Sequence, residues 1–192
     1  MKKLWTAITY AFLVTALLAT GALLKDARSS GITATIEVDP PVPAANGNVG
    51  WFQQMRAFCN PVEVETRMRR NPHPDTQEGR SQAAACWALA GHIDEARGLI
   101  QSMPQNQQWE AASVVFGVGH PVADSGNDIA AGPLMELVVE FWPNNYMALY
   151  HAGASRYQLG DSEGAVPYLE RFLQEYSRND GWTRNAKEML AG

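Results

Sequence analysis

Apolar positions follow two regimes along this chain. From Leu4 to Leu24 there is no charged side chain, and the non-apolar positions are Thr6, Thr9, Thr15, Thr20 and Gly21 alone. A helix of that length, at about 1.5 Å per residue, measures roughly 31 Å, close to the ~30 Å hydrocarbon core of a bilayer. The run has no polar face, so burial in a protein core does not account for it. Lys2 and Lys3 precede it; Lys25, Asp26 and Arg28 follow. The positive-inside rule then makes residues 1–3 a cytoplasmic stub and 4–24 a transmembrane signal-anchor in the inner membrane, with the bulk of the chain periplasmic. The alternative is a signal peptide that is cleaved, leaving a secreted protein. Against it, small-residue sites such as Thr20-Gly21-Ala22 lie inside the run rather than after it. No cysteine near its end offers a lipoprotein acceptor.

Residues 25–50 are a tether, broken by Ser29-Ser30-Gly31, Asp39-Pro40-Pro41, Pro43 and Asn46-Gly47-Asn48. Ile32, Ala34, Ile36 and Val38 alternate weakly, which an extended linker or a short strand would both produce. From Trp51 onward the period becomes helical, predicting a domain over 51–192. Two helices are expected first, Trp51 to Phe58 and Pro61 to Arg70, with Asn60 as cap and Pro61 at the first helical position.

The breaks between later helices are periodic. Gly91, Gly126 and Gly160 lie 35 and then 34 residues apart, and Ala96, Ala131 and Ala165 repeat those intervals. Gly119 and Gly153 are 34 apart, as are Pro133 and Pro167. Such a period signals helix–turn–helix repeats, with glycine in the turn and a small residue where two antiparallel helices meet. Apolar stripes follow each alanine: Leu99, Ile100 and Met103 in one unit, Leu169, Phe172, Leu173 and Tyr176 in another.

On these residues the sequence resembles the tetratricopeptide-repeat (TPR) family. The best match is Tyr146 to Asn179, through Gly153, Tyr157, Leu159-Gly160-Asp161, Ala165, Leu169 and Phe172. Residues 77–110 match through Ala84, Trp87, Leu89, Gly91, Ala96, Ile100 and Met103. Residues 112–145 are degenerate but keep Gly119, Gly126, Ala131, Met135 and Pro143. The early tryptophan of the family is replaced by Arg80, Val115 and Leu149. Pro121 falls inside a first helix, which is expected to end near His120 or to kink there. The resemblance implies an all-α fold, an α-solenoid of TPR-like hairpins behind the transmembrane helix. The helix at 180–190 then closes the stack with a polar outer face.

Composition narrows the chemistry. With 15 Lys+Arg against 20 Asp+Glu the chain carries a formal charge of -5, which disfavours nucleic acid as a partner. None of His73, His92, His120 and His151 has zinc-pair spacing, no serine lies in a nucleophile elbow, and Gly117-Val118-Gly119-His120-Pro121 lacks a phosphate loop's strand. No catalytic residue, metal or cofactor is therefore assigned. Arg67, Arg69 and Arg70, beside Glu63 and Glu65, read as a solvated helix end. Cys59, in a turn, and Cys86, late in the next first helix, are either two buried thiols, the plainer alternative, or a structural disulfide.

What the resemblance leaves is a binding surface. Groove-facing positions of the repeat fall at Glu78, Ser81, Phe116, His120, Asp124, Met147, Tyr150 and Tyr157. Tyr150 and Tyr157, two turns apart, are expected to clamp a peptide or partner helix, with their neighbour Gln158 mattering less; the alternative is that these tyrosines, and Phe116, pack inside the repeat. The expected function is a membrane-tethered adaptor that binds a protein partner and is not an enzyme. The alternatives are an enzyme with a dispersed site around His120, Asp124 and His151, or a structural oligomerisation module.

Overall fold

The computed structural model describes residues 50–192; the stub, the apolar run and the tether up to residue 49 lie outside the described residues. Helix α1 spans Trp51–Met55 and continues as a 3-10 turn, Arg56–Phe58. Then follow α2 Val64–Arg70, α3 Gln77–Leu89, α4 Ile93–Gln101, α5 Gln105–Asp124 and α6 Asp128–Phe141. The chain ends with α7 Tyr146–Gln158, α8 Ser162–Glu175 and α9 Gly181–Ala191. The described residues contain no strand, and the fold is all-α. None of the described helices is long and apolar enough to cross a membrane.

Three connections share one geometry. Gly91, Gly126 and Gly160 adopt φ of +80°, +87° and +81°, a region that side chains disfavour. In each turn the glycine N–H donates to the carbonyl three residues back: Ala88, Ala123 and Tyr157. The next N–H donates five residues back, to Trp87, Val122 and Arg156. Two orphan carbonyls of each ending helix are thereby satisfied, the pairing of a Schellman motif. The residue after the glycine then starts the next helix. Asn127 and Asp161 do so with a side-chain oxygen on the N–H of Ala130 and Gly164. Hence α3/α4, α5/α6 and α7/α8 are three hairpins, each turned by three residues.

Burial repeats with the turns. Seven residues before each glycine stand Ala84, Gly119 and Gly153; five after it stand Ala96, Ala131 and Ala165, all buried. Ile100, Met135 and Leu169 follow, then Met103, Val138 and Phe172, all in one apolar cluster. A Cβ on Gly119 would stand 2.8 Å from Met135 Cε, and one on Gly153 would stand 2.6 Å from Leu169 Cγ. Each glycine thus lets its helix press onto the next. The first helices α3, α5 and α7 also touch in sequence, and α9 packs on α7 and α8. Two bidentate ion pairs tie α6 to its neighbours. Arg97 of α4 reaches Glu140 at 2.7 and 2.8 Å, and Arg156 of α7 reaches Glu136 at 2.7 and 2.8 Å.

Helix α5 does not end near His120. It runs through Pro121 to Asp124. The proline is exposed in the last turn, and Ser125 N–H still donates to its carbonyl at 3.2 Å. One missing donor at an exposed helix end is tolerated because water reaches the freed carbonyl. Pro133 and Pro167 lie at matching exposed positions inside α6 and α8.

The N-terminal segment also departs from expectation. Pro61 is not the first helical residue, since α2 begins at Val64. Asn60 Oδ1 instead accepts from the N–H groups of Val62 and Glu63, both at 3.1 Å, fixing a turn first. This segment lays Trp51, Met55, Val64 and Met68 on one side of α3, against Ala83, Cys86 and Ala90, while Ala84, Ala85 and Ala88 join the main core. Helix α3 is therefore covered on two sides, and alanine leaves room for both neighbours. Cys59 and Cys86 are joined in a disulfide, so the two-thiol alternative is set aside. The bond closes a 27-residue separation between the N-terminal segment and α3.

Candidate functional site

Two neighbouring features gather most of the chemistry. The first is a depression of about 440 Å³ between α7 and α9, bordered also by Asp128 at the start of α6. Tyr150, Ala154, Tyr157 and Gln158 line it from α7, Asn185, Glu188 and Met189 from α9, and Asp128 from α6. Tyr150 and Tyr157 do share this wall, as their spacing on one helix requires. They differ in kind, however. Tyr150 is only 6% exposed and packs edge-on against Phe172, Trp182 and His151. Burial pushes its phenol above the usual tyrosine range, opposed by a hydrogen bond with Asn185. Tyr157 is half-buried and lines the depression. Gln158 is no bystander either: its Nε2 donates to Asp128 Oδ2 at 3.0 Å.

The second feature adjoins it through Asp128. His120 and Asp124 come from the last turns of α5, one helical turn apart; His151 comes from the middle of α7, the first helix of the next hairpin. Their ligating atoms all lie within 4.8 Å of one another. Asp124 Oδ1 is 3.4 Å from His120 Nε2 and 3.7 Å from His151 Nε2. The imidazole of His151 is 2% exposed, and its Nδ1 pairs with Asp128 Oδ1 at 2.7 Å. An ionised carboxylate only accepts, so Nδ1 carries the hydrogen and a neutral ring leaves Nε2 with a free lone pair. Both Nε2 atoms are buried without a hydrogen-bond partner. Leaving such an atom unsatisfied costs about 1–3 kcal/mol.

Packing fixes these rings. Phe116 stacks on His120 at 4.6 Å, and Trp142 meets Phe116 edge-on. Trp182 and Tyr150 close over His151. Burial pushes His120 below the usual histidine range, with His151 adding to the effect and Asp124 opposing it. Phe116, a sequence candidate for partner contact, is thus a support for His120.

The remaining candidates lie elsewhere. Glu78 and Ser81 border a separate depression between α3 and α5, with Gln77, Glu110, Ser113 and Val114. Ser81 is almost wholly buried there, and its hydroxyl donates to Gln77 O at 2.8 Å. Met147, half-buried in the first turn of α7, lines neither depression.

The sequence grouped His120, Asp124 and His151 only as a dispersed alternative and missed Asp128. Its one signal was an acid in a helix's first turn, which ordinary dipole compensation explains equally well. Glu188 belongs to the terminal helix whose outer face the sequence marks only as polar, and nothing in the sequence singles out Asn185. No protein-family model matches the chain, and no curated protein matches it.

Proposed function

We propose that this protein is a TPR-type helical-repeat adaptor, tethered to the inner membrane by residues 4–24, that captures a protein partner on the periplasmic side. The observation carrying this reading is the threefold recurrence of one turn: glycine at positive φ, a small residue seven positions before it and a buried alanine five after it. Hairpins that repeat in this way stack as a solenoid and offer first-helix faces for binding. The charge-free run of Leu4 to Leu24 supports the tether. The Cys59–Cys86 disulfide supports an oxidising compartment, where such bonds persist.

The partner contact is assigned to the depression around Tyr157. Its lining combines that partly buried aromatic ring with the carboxylates of Asp128 and Glu188 and contains no Lys or Arg. An extended or helical peptide segment with a basic side chain beside an apolar one complements it. Capture from cross-linked membranes with the anchor intact tests the reading. A partner recovered by the wild type and lost with Tyr157→Ala plus Glu188→Lys, while circular dichroism stays helical, supports it. Undiminished recovery with both changes moves the contact off this face. Recovery of nothing but further copies of the chain favours an oligomerisation module.

A further inference from the structure

We propose that His120, His151 and Asp124 form a binding site for a divalent transition-metal ion of the zinc class. The proposal is independent of the partner-binding reading. It starts from the donor set: two imidazole nitrogens and one carboxylate oxygen suit a borderline ion such as Zn²⁺ rather than the all-oxygen shells of Mg²⁺ or Ca²⁺. Two of the three donor separations fit closely as well, and the third, between the two imidazoles, is within 4.8 Å. Bonds of about 2.0–2.1 Å to a tetrahedral ion place neighbouring ligand atoms roughly 3.3 Å apart. Asp124 Oδ1 stands 3.4 Å from His120 Nε2 and 3.7 Å from His151 Nε2. Three protein ligands leave one position open for water or an incoming group.

A chance cluster of surface charges would lack what surrounds these atoms. His151 is 2% exposed, and its Nε2, like that of His120, is buried with no hydrogen-bond partner. Native proteins seldom leave such atoms unmatched, and an ion between them would satisfy both. The opposite face of His151 is already prepared. Asp128 accepts its Nδ1–H at 2.7 Å and is itself held by Gln158 at 3.0 Å. This carboxylate–histidine relay orients Nε2 toward the metal and raises its basicity. Phe116 stacked on His120 fixes the second ring. The disulfide removes both cysteines as competing ligands.

The site also spans two repeats, since α5 supplies His120 and Asp124 while α7 supplies His151. A bound ion would cross-link adjacent hairpins beside the depression lined by Tyr157, through the shared Asp128.

The test is metal stoichiometry on the full-length chain, purified in detergent, stripped with chelator and dialysed against Zn²⁺ alone. About one tightly held zinc per chain is expected. Asp124→Asn and His120→Gln, both at the more exposed rim, should abolish it while the circular dichroism spectrum and melting temperature of the zinc-free protein hold. Asp128→Asn should weaken binding about 10–100-fold without removing a ligand. His73→Ala with His92→Ala should leave the zinc in place. Absence of a tight equivalent overturns the proposal. So does a bound zinc that survives both Asp124→Asn and His120→Gln, or one that departs with His73 and His92.

Discussion

Gly153 of α7 lies so close to Leu169 of α8 that a Cβ on the glycine would stand 2.6 Å from the leucine Cγ and 2.7 Å from its Cδ2. Alanine is ordinarily the better helix former, by about 1 kcal/mol. Here the added methyl must displace a fully buried leucine, at a cost of roughly 1–3 kcal/mol. Gly153→Ala is therefore expected to lower stability on balance. Gly98, inside α4 with nothing within 4 Å of a built Cβ, is expected to behave oppositely. Gly98→Ala should stabilise by about 0.5–1 kcal/mol. Urea unfolding of the two variants reads the sign directly, and a shared sign would refute the close-approach assignment.

Ala165 is a second probe of the same packing. It is only 1% exposed at the crossing of α7 and α8, whereas Glu170 on α8 is exposed. Ala165→Phe should cost about 1–3 kcal/mol or more through overpacking. Glu170→Phe should cost under about 0.5 kcal/mol. Equal thermal shifts would contradict the register.

The disulfide fastens the N-terminal segment to α3. Closing a loop of 27 residues removes enough entropy from the unfolded chain to stabilise by about 3.5 kcal/mol. Replacing Cys59 and Cys86 by serine should lower the urea midpoint, and reducing agent should do the same to the wild type alone. An unchanged midpoint in the double variant would mean that the bond contributes nothing.

For partner capture, the tyrosines are expected to separate. Tyr157→Ala should weaken capture by roughly 1–2 kcal/mol and lower the melting temperature less than Tyr150→Ala does, since its ring is only partly buried. Tyr150→Ala removes a ring buried among Phe172, Trp182 and His151, so it should cost about 3–5 kcal/mol of stability. Identical thermal behaviour of the two variants would contradict this division. Gln158→Ala is expected to disturb both features, because it releases Asp128.

Topology has its own test. On the proposed topology, drawn from the weak charge bias around Leu4 to Leu24, the C-terminus is expected outside the cytoplasm. A C-terminal alkaline phosphatase fusion should be active, and a fluorescent protein that matures only in the cytoplasm should stay dark. The reverse pattern would overturn the orientation.

The sequence by itself determined the periodic skeleton. Glycine at positive φ, a small residue at a helix crossing and an apolar stripe are each demanded by local backbone sterics or by the face a helix buries. Their spacing therefore survives as readable pattern, and the turns at Gly91, Gly126 and Gly160 stand where that pattern put them. Helix ends were less legible. Pro121 argues for a break, yet its missing donor falls at an exposed end where water substitutes. Tertiary structure alone decided which polar side chains meet. His120 and His151 are 31 positions apart, and their meeting depends on how one hairpin is seated on the next. Asp128 faces His151 only because α6 begins beside the middle of α7. Tyr150 and Tyr157, indistinguishable as a pair on one helix face, are separated by α9, whose Trp182 packs on Tyr150, while Tyr157 stays only partly buried. Short-range sterics are written in neighbouring residues, whereas contacts between elements are set by the summed packing of the whole domain.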